Sequence, residues 1–303
     1  MKTTNKHYQT RGRYALVQFG TLEGPGFEFV PGAEAIAGEK LVIREHGRGG
    51  TVNTLEAINL GEKYCLLTDM DVLYGAKQNR VVNTSVLIAP HSKQAVNVSC
   101  VERSRWSYTS PEFSPAGGVM DPELRSAKVA FLYRDKEADR ADSQRQIWGM
   151  IHDELLRSGV QSDTEDYHAI LESRKTTERR KMFSSARTGC NGLVLFAGRA
   201  PVFLEAFGNR HAFRFYFPML MDSIPMGKTG QQEGDPMKEA EAFYRLDEML
   251  DDFDEGMEPA GDEALGGVGR LRWSTGNTFK GFQLNFGKQP VHRVSFYSFD
   301  KQA

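Results

Sequence analysis

With 303 residues, 40% of them hydrophobic, the chain can bury a substantial core in one large domain or two closely packed ones. A formal net charge of −2 gives no global attraction to nucleic acid or to anionic membrane. No apolar run approaches the roughly 18 to 20 residues that span a bilayer, and Met1-Lys2-Thr3-Thr4-Asn5 leads into no apolar signal core, so a cytoplasmic protein without a membrane partner is expected.

The first thirty-odd residues alternate short apolar runs with glycine and proline: Tyr14 to Phe19, Gly24-Pro25-Gly26, Phe27 to Val30, then Pro31-Gly32. They read as short strands joined by turns. Leu41-Val42-Ile43 is another strand. From Tyr64 to Glu102 the pattern stays strand-like, with Val82, Thr84, Val86 and Ile88 on one face of a strand from Val81 to Ile88. Val96, Val98, Cys100 and Glu102 alternate in the same way, and Pro90-His91-Ser92 reads as a hairpin connection between the two. Residues 1–134 therefore form an antiparallel β unit in this reading.

At Asp135 the composition turns charged with helical spacing. Ile147, Ile151 and Leu155 predict an amphipathic helix that stops at Gly159. Ser162 and Glu165 have capping-box spacing for a second helix through Tyr167, Ile170 and Leu171 towards Phe183, making a central helical hairpin. Strands return at Leu193–Phe196 and Val202–Leu204. Asn209 is the cap of a helix carrying Phe213, Tyr216 and Leu220, which Pro218 would kink or shorten. In the acidic stretch 227–269, Asp235 and Pro236 read as the start of a short docked helix with the stripe Phe243, Leu246, Leu250 and Phe253, followed by an acidic loop. Arg270 to Phe299 alternates again and completes a sheet. The fold class is α+β: an antiparallel β-rich N-terminal unit, then residues 135–303 as the hairpin and a C-terminal mixed β/α unit, packed as one globular body.

The most unusual chemistry is Gly75-Ala76-Lys77-Gln78-Asn79-Arg80, directly before a β-branched run. Lys77 and Arg80 are cationic donors, and Gln78 and Asn79 each offer donors and an acceptor, so polar heads gather at the mouth of a strand. Either this is a solvated turn or it orients an anionic, hydroxyl-rich ligand, with Gly75 allowing close backbone approach. Asn53 and Asn83 extend the set. Glu45 and Glu102, each at a strand edge, are the acid or base candidates; the alternative for both is a salt bridge to Arg44, Arg103 or Arg105. Trp106 beside Arg105 is placed either to stack on a base or to line the core rim. Cys100 alternates with Val96 and Val98 as a small buried side chain, although His91 would be a base for a reactive thiol.

Other patterns fail. Cys65, Cys100 and Cys190 are widely spaced, which suits reduced thiols and supplies no metal-ligand pair. Gly227-Lys228-Thr229 lacks the earlier glycine of a phosphate loop, where Asp222 stands, and Gly266-Gly267-Val268-Gly269 lacks the last glycine of a dinucleotide fingerprint. His46 and His91 are isolated. The basic run Arg174, Lys175, Arg179, Arg180 and Lys181 reads as a solvated helix face, so nucleic acid is not an expected partner.

Glu45-His46-Gly47-Arg48-Gly49-Gly50-Thr51-Val52-Asn53, then Gly75 to Arg80, then Val98-Ser99-Cys100-Val101-Glu102 with Arg105-Trp106, resemble the domain family named for its association with ADP-ribosylglycohydrolases and rhodanese-phosphatases. Gln146-Ile147-Trp148, Gly192-Leu193-Val194, Glu205-Ala206-Phe207-Gly208 and Val291-His292-Arg293-Val294-Ser295-Phe296 extend the resemblance across most of the chain. It implies a setting in NAD-linked and ADP-ribose metabolism, and it adds His292 to the catalytic candidates Glu45 and Glu102, although a histidine in an apolar strand also reads as a satisfied core residue. The expected ligand is a small nucleotide-like molecule such as ADP-ribose or another NAD derivative, held by Asn53, Lys77, Gln78, Asn79, Arg80, Arg105 and Trp106. Two functions follow: an enzyme that hydrolyses it, or a non-catalytic sensing or assembly module. No cofactor is read from the residues.

Overall fold

A computed structural model describes residues 2–21, 28–47, 50–134, 140–176, 183, 185–224, 234–259 and 267–297. In chain order its elements are β1 (Thr3–Arg11), β2 (Tyr14–Thr21), β3 (Phe29–Pro31), α1 (Gly32–Ala37), β4 (Leu41–Glu45), β5 (Thr54–Asn59), β6 (Tyr64–Leu67) and β7 (Asp71–Gly75). There follow β8 (Arg80–Val82), β9 (Val86–Ile88), β10 (Ser92–Cys100), β11 (Phe113–Val119), α2 (Pro122–Arg134), α3 (Arg140–Ser158) and α4 (Tyr167–Thr176). The remainder is β12 (Gly192–Ala197), β13 (Ala200–Phe207), α5 (Arg210–Ser223), α6 (Glu239–Glu255), β14 (Arg270–Thr275), β15 (Phe279–Phe286) and β16 (Gln289–Tyr297). The expected α+β class holds. Among the described residues no helix is long and apolar enough to cross a membrane.

The chain does not divide at residue 134. One compact unit takes residues 1–27, 181–263 and 270–303, and the other takes 28–180 with 264–269. The first two strands thus leave the N-terminal β unit and join the C-terminal strands. β2 pairs antiparallel with β12, Val17 opposite Val194, in a seven-stranded sheet ordered β1-β2-β12-β13-β16-β15-β14. Period-two alternation lets each strand serve two faces. Val17, Val194 and Ala206 pack under Leu246, Met249, Leu250 and Phe253 of α6, whereas Phe207, the next residue, stacks on Tyr216 of α5 with ring centroids 5.4 Å apart.

In the second unit, a six-stranded sheet (β11-β7-β8-β10-β5-β4) and a three-stranded sheet (β3-β6-β9) enclose one core, with Leu41, Ile43, Leu55, Leu67, Val82 and Val96 among its members. Val72, Val81 and Val101 pack instead under Ile147, Ile151 and Leu155 of α3 and Tyr167, Ile170 and Leu171 of α4.

Several local expectations are corrected. The strand expected over 81–88 is broken: β8 ends at Val82, whose carbonyl accepts a 2.5 Å hydrogen bond from Lys128 Nζ, and β9 pairs with β6 in the other sheet. Pro90-His91-Ser92 is accordingly a link between sheets and not a hairpin, since β10 pairs with β5 and β8. Pro31-Gly32 opens α1. The second hairpin helix starts at Tyr167, because Glu165 takes φ 51° and Asp166 caps instead, its Oδ1 accepting from His168 N–H at 2.9 Å. α6 starts at Glu239 after Lys238, since the Met237 N–H is used on Gly198 O and its side chain is buried. Asn209 does cap α5, accepting from Ala212 N–H at 2.8 Å, and that helix runs on through Pro218. Gly24 to Gly26, residues 227–229, the acidic loop at 260–266, and Arg179 to Lys181 lie outside the described residues.

Candidate functional site

The six-residue stretch 75–80 turns from β7 into β8, and the turn is built from its own amide heads. Gly75 has φ 115° and Ala76 φ 42°, a backbone that leaves room for no side chain at 75, where a Cβ would stand 2.4 Å from Ser110 Oγ. Asn79 Oδ1 accepts from Gly75 N–H at 2.8 Å and from Arg105 Nη2 at 3.2 Å, while its Nδ2 donates to Asp166 Oδ2 at 3.0 Å. Gln78 Nε2 donates to the Glu102 carbonyl, and its Oε1 accepts from Arg80 Nη1 at 3.0 Å. Both amides therefore hold the turn.

Glu102 forms the salt bridge weighed as its alternative. Arg105 Nε and Nη2 reach its two carboxylate oxygens at 2.8 and 2.7 Å, and Asn79 N–H adds a third bond at 3.0 Å. Burial opposes its ionisation, but the bonds from Arg105, Asn79 and Thr164 outweigh that and hold the carboxyl below its ordinary value. Arg105 also donates to the carbonyls of Ala76 and Ser107 at 2.7 and 2.8 Å, tying the 101–110 loop to the turn. Asp166, beside Asn79, moves the other way: burial raises its pKa, assisted by the Glu102 charge.

Arg80 and Glu45 differ from all of these. Arg80 is 0% exposed and its Nη1 is saturated by Gln78 O at 2.8 Å, Gln78 Oε1 and Asn79 O, yet its Nε and Nη2 are buried with no hydrogen-bond partner. Glu45 is 6% exposed; Oε1 accepts from Lys77 N–H at 3.2 Å, and Oε2 is buried without a partner. Leaving such groups unsatisfied costs about 1–3 kcal/mol each, and more for charged ones. Burial pulls the guanidinium pKa down, opposed by the neighbouring Cys100, Glu45 and Glu102. Nε and Nη2 form one edge of the planar fork, the edge that takes two oxygens of a carboxylate or phosphate. Above them Arg80 lies 5.5 Å from the ring centroid of Trp106, which is 47% exposed.

Residues 4–296 match the ARPP-1 domain, the ARG and Rhodanese-Phosphatase-superfamily-associated Protein domain. The chain belongs to this family. No curated protein and no solved structure matches it.

Within this ARPP-1 domain the other candidates are placed as follows. Asn53 gives its backbone carbonyl to Val98 N–H at 3.0 Å, and Asn83 Oδ1 accepts from Ser99 Oγ at 2.7 Å. Cys100 is buried opposite Arg80 in the β10–β8 ladder, and burial pushes its thiol up to about 11, which removes it as a nucleophile at neutral pH. His91 pairs with Glu62 at 3.0 Å. All three cysteines are free and buried. His292 lies in the other unit, where its Nε2 meets Glu205 Oε1 at 2.9 Å with both side chains fully buried, a satisfied core histidine.

Sequence reasoning missed Asp166, because the Ser162–Glu165 spacing offered an earlier helix start that hid its capping role, and the charged group under α2. There Arg125 Nε and Nη2 clamp Asp69 at 3.0 Å each, and Lys128 is buried, donating to the carbonyls of Asp69 and Val82. Asp121-Pro122 is a cap followed by proline at the first helical position, and Asp121 Oδ1 does accept from Leu124 N–H at 3.0 Å.

Proposed function

We propose that the second unit binds a nucleotide-like anion, ADP-ribose or another NAD derivative, with a phosphate on the Nε/Nη2 edge of Arg80. The observation that carries this reading is the fully buried, half-satisfied guanidinium. Glu45 Oε2, equally buried and unpartnered, accepts a ribose hydroxyl. Lys77 adds positive charge at the rim, Asn53 helps orient the ligand, and Gln78, Asn79, Glu102 and Arg105 hold the turn that presents Arg80. The choice of a nucleotide over another anion comes from the association in the family's name.

Hydrolysis would fall to Glu45 as the base, since Glu102 is committed to Arg105 and Asn79. That commitment, with the raised Cys100 thiol, favours the second reading, a non-catalytic sensing or assembly module built on the same site. Thermal-shift and calorimetric titration with ADP-ribose, NAD and inorganic phosphate test the binding. Arg80→Lys, which keeps the charge and loses the fork, is expected to weaken phosphate binding at least tenfold; unchanged affinity in a folded variant refutes the site. Product formed on incubation with ADP-ribose, and lost in Glu45→Gln, separates the enzyme from the module.

A further inference from the structure

Over the unsatisfied pair lies a second arrangement with its own chemistry. Lys77 Nζ stands 5.3 Å from the ring centroid of Trp106 and 5.2 Å from that of Tyr108, so one ammonium is shared by two aromatic faces. Both rings remain largely open to solvent, at 47% and 55% exposure. A ring quadrupole attracts cations within about 6 Å of its centroid, and quaternary or aromatic cations, which shed water more easily than a lysine ammonium, gain most from such walls. Trp106 is common to this cage and to Arg80, 5.5 Å from its centroid. The lysine stem also passes the buried carboxylate: a Cβ added at Gly50 would stand 3.0 Å from Glu45 Oε2 and 3.5 Å from Lys77 Cδ.

We propose that Trp106 and Tyr108 form a subsite for an organic cation, which Lys77 occupies as a displaceable placeholder. The ligand class is then a phosphate joined through a short linker to a pyridinium or quaternary ammonium group. Its cation replaces the Lys77 ammonium between the rings while its phosphate takes the Arg80 edge. Only the phosphate half rests on the function proposed above; the cation subsite stands on the two rings and the ammonium already between them.

Calorimetric titration of the full chain with tetramethylammonium and N-methylpyridinium chlorides, at constant ionic strength, tests it against tert-butanol, a neutral molecule of similar shape to the first. Removing the placeholder with Lys77→Met is expected to tighten binding of both cations at least tenfold over wild type. Trp106→Leu in the Lys77→Met background abolishes it, Tyr108→Leu weakens it at least fivefold, and tert-butanol binds none of the proteins. Trp106 and Tyr108 are exposed and Lys77 is half-buried, and urea midpoints confirm that each variant folds. Equal cation affinity in wild type and Lys77→Met, or tert-butanol binding as well as tetramethylammonium, overturns the proposal. Inorganic phosphate binding, measured separately on wild type and Arg80→Lys, reports on the anion site alone, so either half fails without the other.

Discussion

Replacing Lys128 with methionine isolates the electrostatic cost of one wholly buried ammonium in the second unit. The ammonium is wholly buried beneath α2, and burial lowers its pKa to about 7 from an ordinary value of 10.5, with Asp69 opposing that and Arg125 reinforcing it. Because the folded value lies below the unfolded one, the unfolded chain binds a proton that the native chain does not between about pH 7 and pH 10.5. Stability from this group is therefore complete above the unfolded pKa and is lost as pH falls, with the full penalty reached below about pH 7. At 1.36 kcal/mol per pKa unit the term changes by roughly 3–4 kcal/mol between pH 7 and pH 10. The buried thiols act in the opposite direction: Cys100 and Cys190 rise to about 11, so they lower stability as pH rises through the ordinary thiol range. That contribution is common to both proteins and cancels in a difference. Urea unfolding of wild type and Lys128→Met at one-unit steps from pH 6 to pH 10 gives the difference directly. Methionine also strands the carbonyls of Asp69 and Val82, a constant loss independent of pH. The stability of the variant relative to wild type should then fall steadily by about 3–4 kcal/mol from pH 7 to pH 10. A difference that stays flat across this range would show that Lys128 keeps its proton in the folded state and would refute the reasoning.

Arg105→Ala leaves the buried Glu102 carboxylate without its fork and frees the 101–110 loop, so a loss of roughly 3 kcal/mol in urea unfolding is expected. Arg105→Lys should recover less than half of it, because one ammonium cannot reproduce the two-pronged contact. Two glycines give opposite signs on the same assay. Gly149→Ala, in α3 with open space around it, should gain roughly 0.5–1 kcal/mol, whereas Gly281→Ala, whose Cβ would sit 2.2 Å from Val294 O, should lose roughly 3 kcal/mol.

The elements most legible in the sequence are those whose local pattern and tertiary role agree. The apolar run of β2 bounded by turn residues, the alternation in β10 and the 270–299 stretch, the Ile147-Ile151-Leu155 stripe, the Gly159 stop and the Asn209 cap each follow from periodicity or from turn and capping chemistry within a few residues. The family blocks around Glu45, Gly75–Arg80 and Glu102 were also readable, and the structure gathers them at one turn. Their division of labour was not. Composition makes Gln78, Asn79 and Arg105 look as available as Arg80, since a hydrogen-bonding side chain is the same residue whether its partner is a ligand or its own loop.

By itself, the order of residues determined where many of the strands and helices form and marked Gly75 to Arg80 as a polar turn ahead of a strand. Only the tertiary structure decided that β2 pairs with the distant β12, that β8 stops at a carbonyl taken by Lys128, and that one edge of Arg80 and one oxygen of Glu45 stay unsatisfied. The physical reason is that strand pairing and desolvation depend on what arrives from elsewhere in the chain, whereas periodicity and capping are settled within a turn or two of backbone.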